Sequence, residues 1–151
     1  MNSPVFKFSQ PAELDMTIII VSFNTREILL RCLGSIKKHT QDISYEVIVV
    51  DNASEDGTVD AVVELFPEVE VIANKDNRGF SAANNQGIIA SKGRKIALLN
   101  PDTLLTENSF KRSMTFWKNI LISPFLERAL SMRIISPVPF ACGKTVPRTR
   151  H

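Results

Sequence analysis

An open, mostly parallel α/β sheet with helices on both faces is the fold class this sequence predicts. Two patterns carry the prediction. Short apolar, β-branched runs alternate with stretches of helical periodicity from residue 16 to about residue 118, and such alternation implies parallel strands joined by helical crossovers. The strand candidates are apolar on both alternating faces, as strands sandwiched between helix layers must be. Polar clusters also follow the strands, at the carboxyl ends where ligands bind in open α/β sheets.

The first strand is Met16 to Phe23. Asn24 and Glu27 have the spacing of a capping box, which predicts a helix from Thr25 to about Lys38 with Leu29, Leu33 and Ile36 on its core face. Tyr45 to Val50 is the second strand and runs into Asp51. The segment DNASEDGT reads as a loop turning into a helix whose core face is Val59, Val62, Val63 and Phe66, with Pro67 as its stop. Val69 to Ala73 is a third, short strand. After the loop NKDNRGF, the small residues from Ser81 onward suit a helix packed close to a sheet. Lys95 to Leu99 is the fourth strand, ending at Asn100-Pro101-Asp102, and Thr106 is placed to cap a last helix reaching about Lys118.

Composition sets further bounds. The 151 residues suit one domain, and 44% apolar with 23% charged residues is ordinary for a globular protein. The net charge of +2 hides an asymmetry. Residues 1–110 carry 10 basic and 15 acidic side chains, whereas residues 111–151 carry 8 and 1 and hold four of the eight prolines. Cys32 and Cys142 show no metal-ligand spacing and no disulfide framework. No signal peptide or membrane-spanning run is visible, since the stretch from Ile120 to Ala141 is broken by Glu127, Arg128, Arg133 and three prolines. A cytoplasmic location is the expectation.

Four clusters stand where chemistry is expected. Asp51 closes an apolar strand, where a carboxylate can accept hydrogen bonds from a ribose hydroxyl or a pyrimidine imide, cap the next helix, or serve as a phosphoacceptor. The last role needs an acidic pair at the end of the first strand, where Ser22 and Asn24 stand instead. Asn77-Arg78-Gly79-Phe80-Ser81 precedes a helix whose free amides favour a phosphate; the alternative is a turn in which Gly79 takes a positive φ. Asn84 and Asn85 lie one turn further, facing either the cleft or solvent. Asp102 is presented at the sheet edge, either for a hard divalent cation on diphosphate oxygens or as a cap before Thr103 and Thr106.

Taken in order, VSFN, VVDNASEDGT, NRGFSAANNQG and LLNPD resemble the family 2 glycosyltransferases of GT-A fold, most closely the rhamnosyltransferase-like members, over Met16 to Trp117. The resemblance implies a Rossmann-like nucleotide-binding half-domain over residues 16–117, after an N-terminal extension of residues 1–15. It implies that Val21, Phe23 and Asn24 line the base and ribose pocket, and that Asp51 contacts the base. It further implies that Asn77, Gly79 and Asn84 lie along the nucleotide-sugar. Asn100 and Asp102 match the DxD-type motif with Asn at its first position, leaving Asp102 as the main ligand of Mg²⁺ or Mn²⁺. The activity implied is transfer of a sugar, rhamnose in this subgroup, with inversion from a dTDP- or UDP-linked donor to a glycan or lipid-linked acceptor, which allows peripheral contact with the inner face of the membrane.

In the family the base lies well downstream of the DxD-type motif. Here only Glu107 and Glu127 follow Asp102, and neither matches, so no base is assigned. Residues 118–151 form an atypical basic tail, and Ala141 to Thr145 regain family character after a stretch without it. Truncation or a shifted reading frame accounts for that pattern, and an unambiguous frame on resequencing would remove the second. Two rival classes remain: a nucleotide-binding module or gene remnant without turnover, and a binder of nucleic acid or anionic membrane through Arg128, Arg133, Lys144, Arg148 and Arg150. Nothing aromatic interleaves those charges, so a solvated run is expected and nucleic acid is not an expected partner.

Overall fold

A computed structural model describes residues 14–120. The elements alternate as β1 (Leu14–Ser22), α1 (Arg26–His39), β2 (Tyr45–Asp51), α2 (Thr58–Leu65), β3 (Glu70–Ala73), α3 (Phe80–Ala90), β4 (Gly93–Leu99) and α4 (Ser109–Ile120). The sheet has the order β3-β2-β1-β4, with every neighbouring pair parallel. This is the α/β architecture expected. β1 begins two residues before Met16: Leu14 pairs with Gly93, and the Asp15 carboxylate accepts from the Ser44 amide.

The period of two explains how one strand serves two helix layers. Ile18 and Ile20 of β1 join Val47 and Val49 of β2 beneath Leu29, Cys32, Leu33 and Ile36 of α1, Val62 of α2 and Phe110 of α4. Ile19, Ile48, Val50 and Ile96 point the other way, toward Ala83 of α3. Ile18, Ile19 and Ile20 are all fully buried, each stabilising the fold by about 1.5–3 kcal/mol relative to exposure. Chirality fixes which helix covers which face. The crossovers β1-α1-β2 and β2-α2-β3 step one way across the sheet, whereas β3-α3-β4 steps back, so right-handed connections put α3 alone on the opposite face.

The close packing expected of α3 comes from Gly87. A methyl group there would lie 2.6 Å from Cγ2 of Ile19. Gly93 is tighter: a methyl group would sit 2.3 Å from the backbone nitrogen of Thr17.

Three local expectations are corrected. The capping box at Asn24 and Glu27 does not form. Asn24 takes φ 51°, its Oδ1 accepts from the Glu55 amide, and Thr25 becomes the cap residue without a side-chain bond to the helix amides. Val63 is 56% exposed, not core, because the buried face of α2 is Thr58, Ala61 and Val62, and Val63 lies about 100° further round. Thr106 does not cap the last helix. α4 starts at Ser109, and Asn108 accepts the Arg112 amide at its carbonyl and the Lys111 amide at Oδ1. The basic tail, including Glu127 and Ala141 to Thr145, lies outside the described residues.

Candidate functional site

The polar clusters converge because parallel strands deliver every carboxyl end to one edge. Ser22 stands opposite Asp51 and Ile20 opposite Leu99, so Asn100, one residue past β4, comes level with Val21. β2 and β4 flank β1, two strand spacings or about 10 Å apart. The connection from β1 leads to β2 on one side while the β3-α3-β4 crossover lands on the other side of β1, making this edge a topological switch point.

The loops after β1 and β2 are tied together. The Asn52 amide donates to the Ser22 carbonyl at 2.8 Å. Asn24 donates its amide to Oγ of Ser54 at 2.8 Å, while the Glu55 amide donates to Oδ1 of Asn24 at 2.8 Å. One strand end further, Arg26 donates its amide to Oδ2 of Asp56, whose Oδ1 accepts from the Thr58 amide and hydroxyl. The Asp56 carboxyl lies below its ordinary range: burial pushes it up, but hydrogen bonds from Thr58 and the Arg26 amide outweigh that. Asp56 thus serves an otherwise orphaned amide at the start of α1.

Asp51 is 1% exposed. Its Oδ2 accepts from the Ser54 amide at 2.8 Å and its Oδ1 from the Ser54 hydroxyl at 2.6 Å. It does not cap α2, whose cap residue is Gly57 with no side-chain bond. At the end of β1, where a phosphoacceptor would need an acidic pair, Ser22 bonds Thr25 instead. Val21 is half-buried beside it, and Phe23 is 47% exposed at the rim.

Gly79 has φ 79° and ψ 164°, a conformation open to glycine alone. Its amide donates to Oδ1 of Asn77 at 2.9 Å and its carbonyl accepts from Ala83. The positive-φ alternative therefore holds, and the first turn of α3 has no side-chain cap. Of the two asparagines beyond, Asn85 is exposed and Asn84 is buried. Nδ2 of Asn84 donates back to the Phe80 carbonyl at 2.9 Å.

Asn100-Pro101-Asp102 forms a reverse turn, the Thr103 amide donating to the Asn100 carbonyl at 3.1 Å. Pro101 suits its first central position, and Asp102, exposed at the second, starts no helix. The turn is held from below: Sγ of Cys32 lies 3.9 Å from the Asn100 carbonyl, and the Leu105 amide donates to Oγ of Ser35 at 3.0 Å. Burial, and then the charge of Asp102, push the Cys32 thiol up to about 12. Among the described residues Asp102 has no hydrogen-bond or ion-pair partner, and no three His, Cys, Asp or Glu side chains gather as a metal cage. An exposed carboxylate on this braced turn is the kind of group that could share a hard cation with phosphate oxygens.

Three residues at this edge carry no role in the sequence reading, although Asn52 and Gln86 lie within the second and third motifs. Asn52, Asn74 and Gln86 form a linked set of side-chain amides. Their partners are 12 to 27 residues apart, so no local spacing signals them.

Comparison with known proteins agrees with this arrangement. A sequence profile described as glycosyl transferase family 2 matches residues 17–120. The succinoglycan biosynthesis protein ExoO of Rhizobium meliloti is 33% identical over 99 residues, covering 65% of this chain and 28% of that protein. The minor teichoic acid biosynthesis protein GgaB of Bacillus subtilis is 29% identical over 150 residues, covering 96% of this chain and 15% of that one. The chain thus spans less than a third of the length of these relatives. Among solved structures, the mannosyltransferase PcManGT of Pyrobaculum calidifontis, in complex with GDP-Man and Mn²⁺, has a TM-score of 0.61 at 24% identity, covering 76% of this chain and 36% of that one. S. aureus TarS 1-349 in complex with UDP has a TM-score of 0.63 at 20% identity, covering 70% and 32%. These share the GT-A fold. With its profile match running from β1 through α4, the chain belongs to glycosyl transferase family 2.

Proposed function

We propose that residues 16–117 are the donor-binding half of an inverting hexosyltransferase, taking a sugar from a nucleoside-diphosphate carrier to a glycan or lipid-linked acceptor. The observation that carries the reading is Asp102, exposed and without a partner among the described residues, at the same sheet edge as the hydrogen-bonded loops after β1 and β2. Fixed loops there would receive a base and ribose, and Asp102 would hold a metal ion against the diphosphate.

Val21 and Phe23 would line the base pocket. Asn24 and Asp51 would act on it through the turn they build, with Asp51 offering its remaining lone pairs to the base. Asn77, Gly79 and Asn84 would shape the loop along the nucleotide-sugar. Asn100 would orient the Asp102 turn. Bound Mg²⁺ or Mn²⁺ would supply charge stabilisation for the departing nucleoside diphosphate.

The donor reading is supported by two structural neighbours seen with GDP-Man and with UDP. Rhamnose on dTDP, or a UDP-sugar, is the specific donor proposed from the subgroup motifs. The names of ExoO and GgaB concern succinoglycan and minor teichoic acid biosynthesis, which supports a glycan acceptor; synthesis at the inner face of the cytoplasmic membrane is part of the proposal. No helix among the described residues is long and apolar enough to cross a membrane.

A second reading is favoured by one observation. Glu107 is the only carboxylate described after Asp102, and it is exposed and paired with Arg112. Residues 14–120 therefore offer no evident base, and donor binding without turnover fits them equally.

The test is a thermal melt of the full chain with UDP, dTDP or GDP, each with and without Mn²⁺. A nucleotide at 100 times its Kd stabilises by about 2.7 kcal/mol. A metal-dependent rise is expected; no rise with any nucleotide would overturn the proposal. Assay of sugar transfer and donor hydrolysis on the same sample separates an enzyme from a binding module.

A further inference from the structure

The amides of Asn52, Asn74 and Gln86 link the loop after β2, the end of β3 and the middle of α3 to a single carbonyl. Nδ2 of Asn52 donates to the Gly79 carbonyl at 3.4 Å, and Oδ1 of Asn52 accepts from Nδ2 of Asn74 at 2.9 Å. The second hydrogen of Asn74 Nδ2 goes to Oε1 of Gln86 at 2.9 Å, and Nε2 of Gln86 donates back to Oδ1 of Asn74 at 2.8 Å. Asn52 is 2% exposed. The backbone of Asn74 is anchored as well, its amide donating to the Asp51 carbonyl at 2.8 Å.

The direction of every bond follows from one fact. A carbonyl only accepts, so Asn52 must turn its NH₂ toward Gly79. Its oxygen then faces Asn74, which must answer with a donor. Both Asn74 hydrogens are then committed, and its oxygen takes the Gln86 NH₂. No amide in the chain can turn over without setting two acceptors face to face, the last of them at Gly79.

We infer that Asn52, Asn74 and Gln86 are positioning residues: a polarised amide relay that holds the Gly79 loop, and with it the first turn of α3, in the geometry that receives the donor nucleotide. The inference rests on the donor-binding reading of this edge. Gly79 itself has no side chain with which to hold its place, so its carbonyl must be fixed from outside. Oδ1 of Asn77 holds the amide side of the same residue.

The test is Gln86→Glu in the full chain, with Gln86→Met as control. An ionised carboxylate keeps the bond from Asn74 Nδ2 but sets an oxygen against Oδ1 of Asn74. Turning Asn74 gives no relief, because its oxygen would then face the other carboxylate oxygen and Oδ1 of Asn52 as well. The two side chains must draw apart, which loosens the hold of Asn74 on Asn52 and of Asn52 on the Gly79 carbonyl. A proton on the carboxylate restores the missing donor. Calorimetry with UDP, dTDP and GDP plus Mn²⁺ should show affinity about threefold to tenfold below wild type at neutral pH, the worth of one hydrogen bond. The loss should reverse as pH falls through the titration of the new carboxyl. Gln86→Met should show the loss at every pH.

Exchange protection of the Ala83 amide, which donates to the Gly79 carbonyl, should follow the same pH course without nucleotide. If Gln86→Glu binds like wild type at neutral pH, or its loss ignores pH, the relay is overturned. If wild type binds no nucleotide, the donor reading falls instead. The Ala83 exchange then decides the relay alone: pH-reversible loss of protection upholds it, and unchanged protection overturns it.

Discussion

Replacing Asp51 separates what the carboxylate does for the fold from what it does for a ligand. Asp51→Ala removes two hydrogen bonds to a buried charged acceptor, from the Ser54 amide and hydroxyl. Such bonds are worth about 1.5–3 kcal/mol each. Ser54 is only half-buried and regains water, which argues for the lower end, about 3 kcal/mol in all. For a domain near 100 residues that is roughly 10–15 °C in Tm. Asp51→Asn behaves differently. The new oxygen keeps the Ser54 amide, and the new NH₂ donates to Ser54 Oγ, which still has a lone pair beyond the one used by the Asn24 amide. Only charge assistance is lost, about 1 kcal/mol. Urea denaturation of both variants reads these costs, and calorimetry with nucleotide and Mn²⁺ reads the ligand. If Asp51 meets the base imide, Asp51→Asn replaces an acceptor with a donor and weakens binding by roughly tenfold or more. An Asp51→Ala protein within about 0.5 kcal/mol of wild type would refute the turn argument. Wild-type affinity in Asp51→Asn would refute base contact.

Three further perturbations probe other parts of the molecule. Asp102→Asn leaves stability unchanged, because the side chain has no partner among the described residues, but lowers the Mn²⁺ enhancement of nucleotide affinity by roughly tenfold or more; an unchanged enhancement in titrations excludes it as the metal ligand. Gly93→Ala forces a methyl group onto the Thr17 backbone and breaks the bond from the Gly93 amide to Thr17 Oγ1, costing about 3 kcal/mol or more in urea denaturation. Cys32 has a folded-state value raised to about 12 from 9.0, so the contribution of its neutral thiol is fully present below pH 9 and is lost as pH rises toward 12. Cys32→Ala should remove that part of the alkaline decline in stability, and native Cys32 should resist thiol reagents at neutral pH.

The strands and the converging edge were legible because both rest on local periodicity. Runs such as Thr17 to Ile20 bury every residue, and that leaves a mark in the sequence that no surface strand would. Gly79 was legible as a turn for the same reason: one residue type tolerates its φ and ψ. Caps were misread where a local pattern had a stronger distant partner. Asn24 sits three residues before Glu27, yet Glu55, 31 residues away, claims its oxygen. Val63 was misplaced because a run of three apolar residues leaves the phase of a short helix open by a full step. The amide relay was invisible because its members meet only after β2 has paired with β3 and α3 has packed against the sheet.

Two carboxylates at the site edge have opposite surroundings, and the difference separates scaffold from ligand chemistry. Asp51 is sealed beneath its own turn and bonded at both oxygens, so most of what it offers is already committed to Ser54. Asp102 is exposed at the second central position of a turn braced by Cys32 and Ser35, with its oxygens uncommitted among the described residues. A buried, satisfied carboxylate resists a cation, which would have to displace hydrogen bonds to bind. An exposed one on a fixed turn meets a cation without rearrangement. Under the proposed function the first would set the shape of a base pocket while the second would meet a charged diphosphate about two strands away. That separation, set by β1 lying between β2 and β4, is the reason the sheet order bears directly on the proposed chemistry.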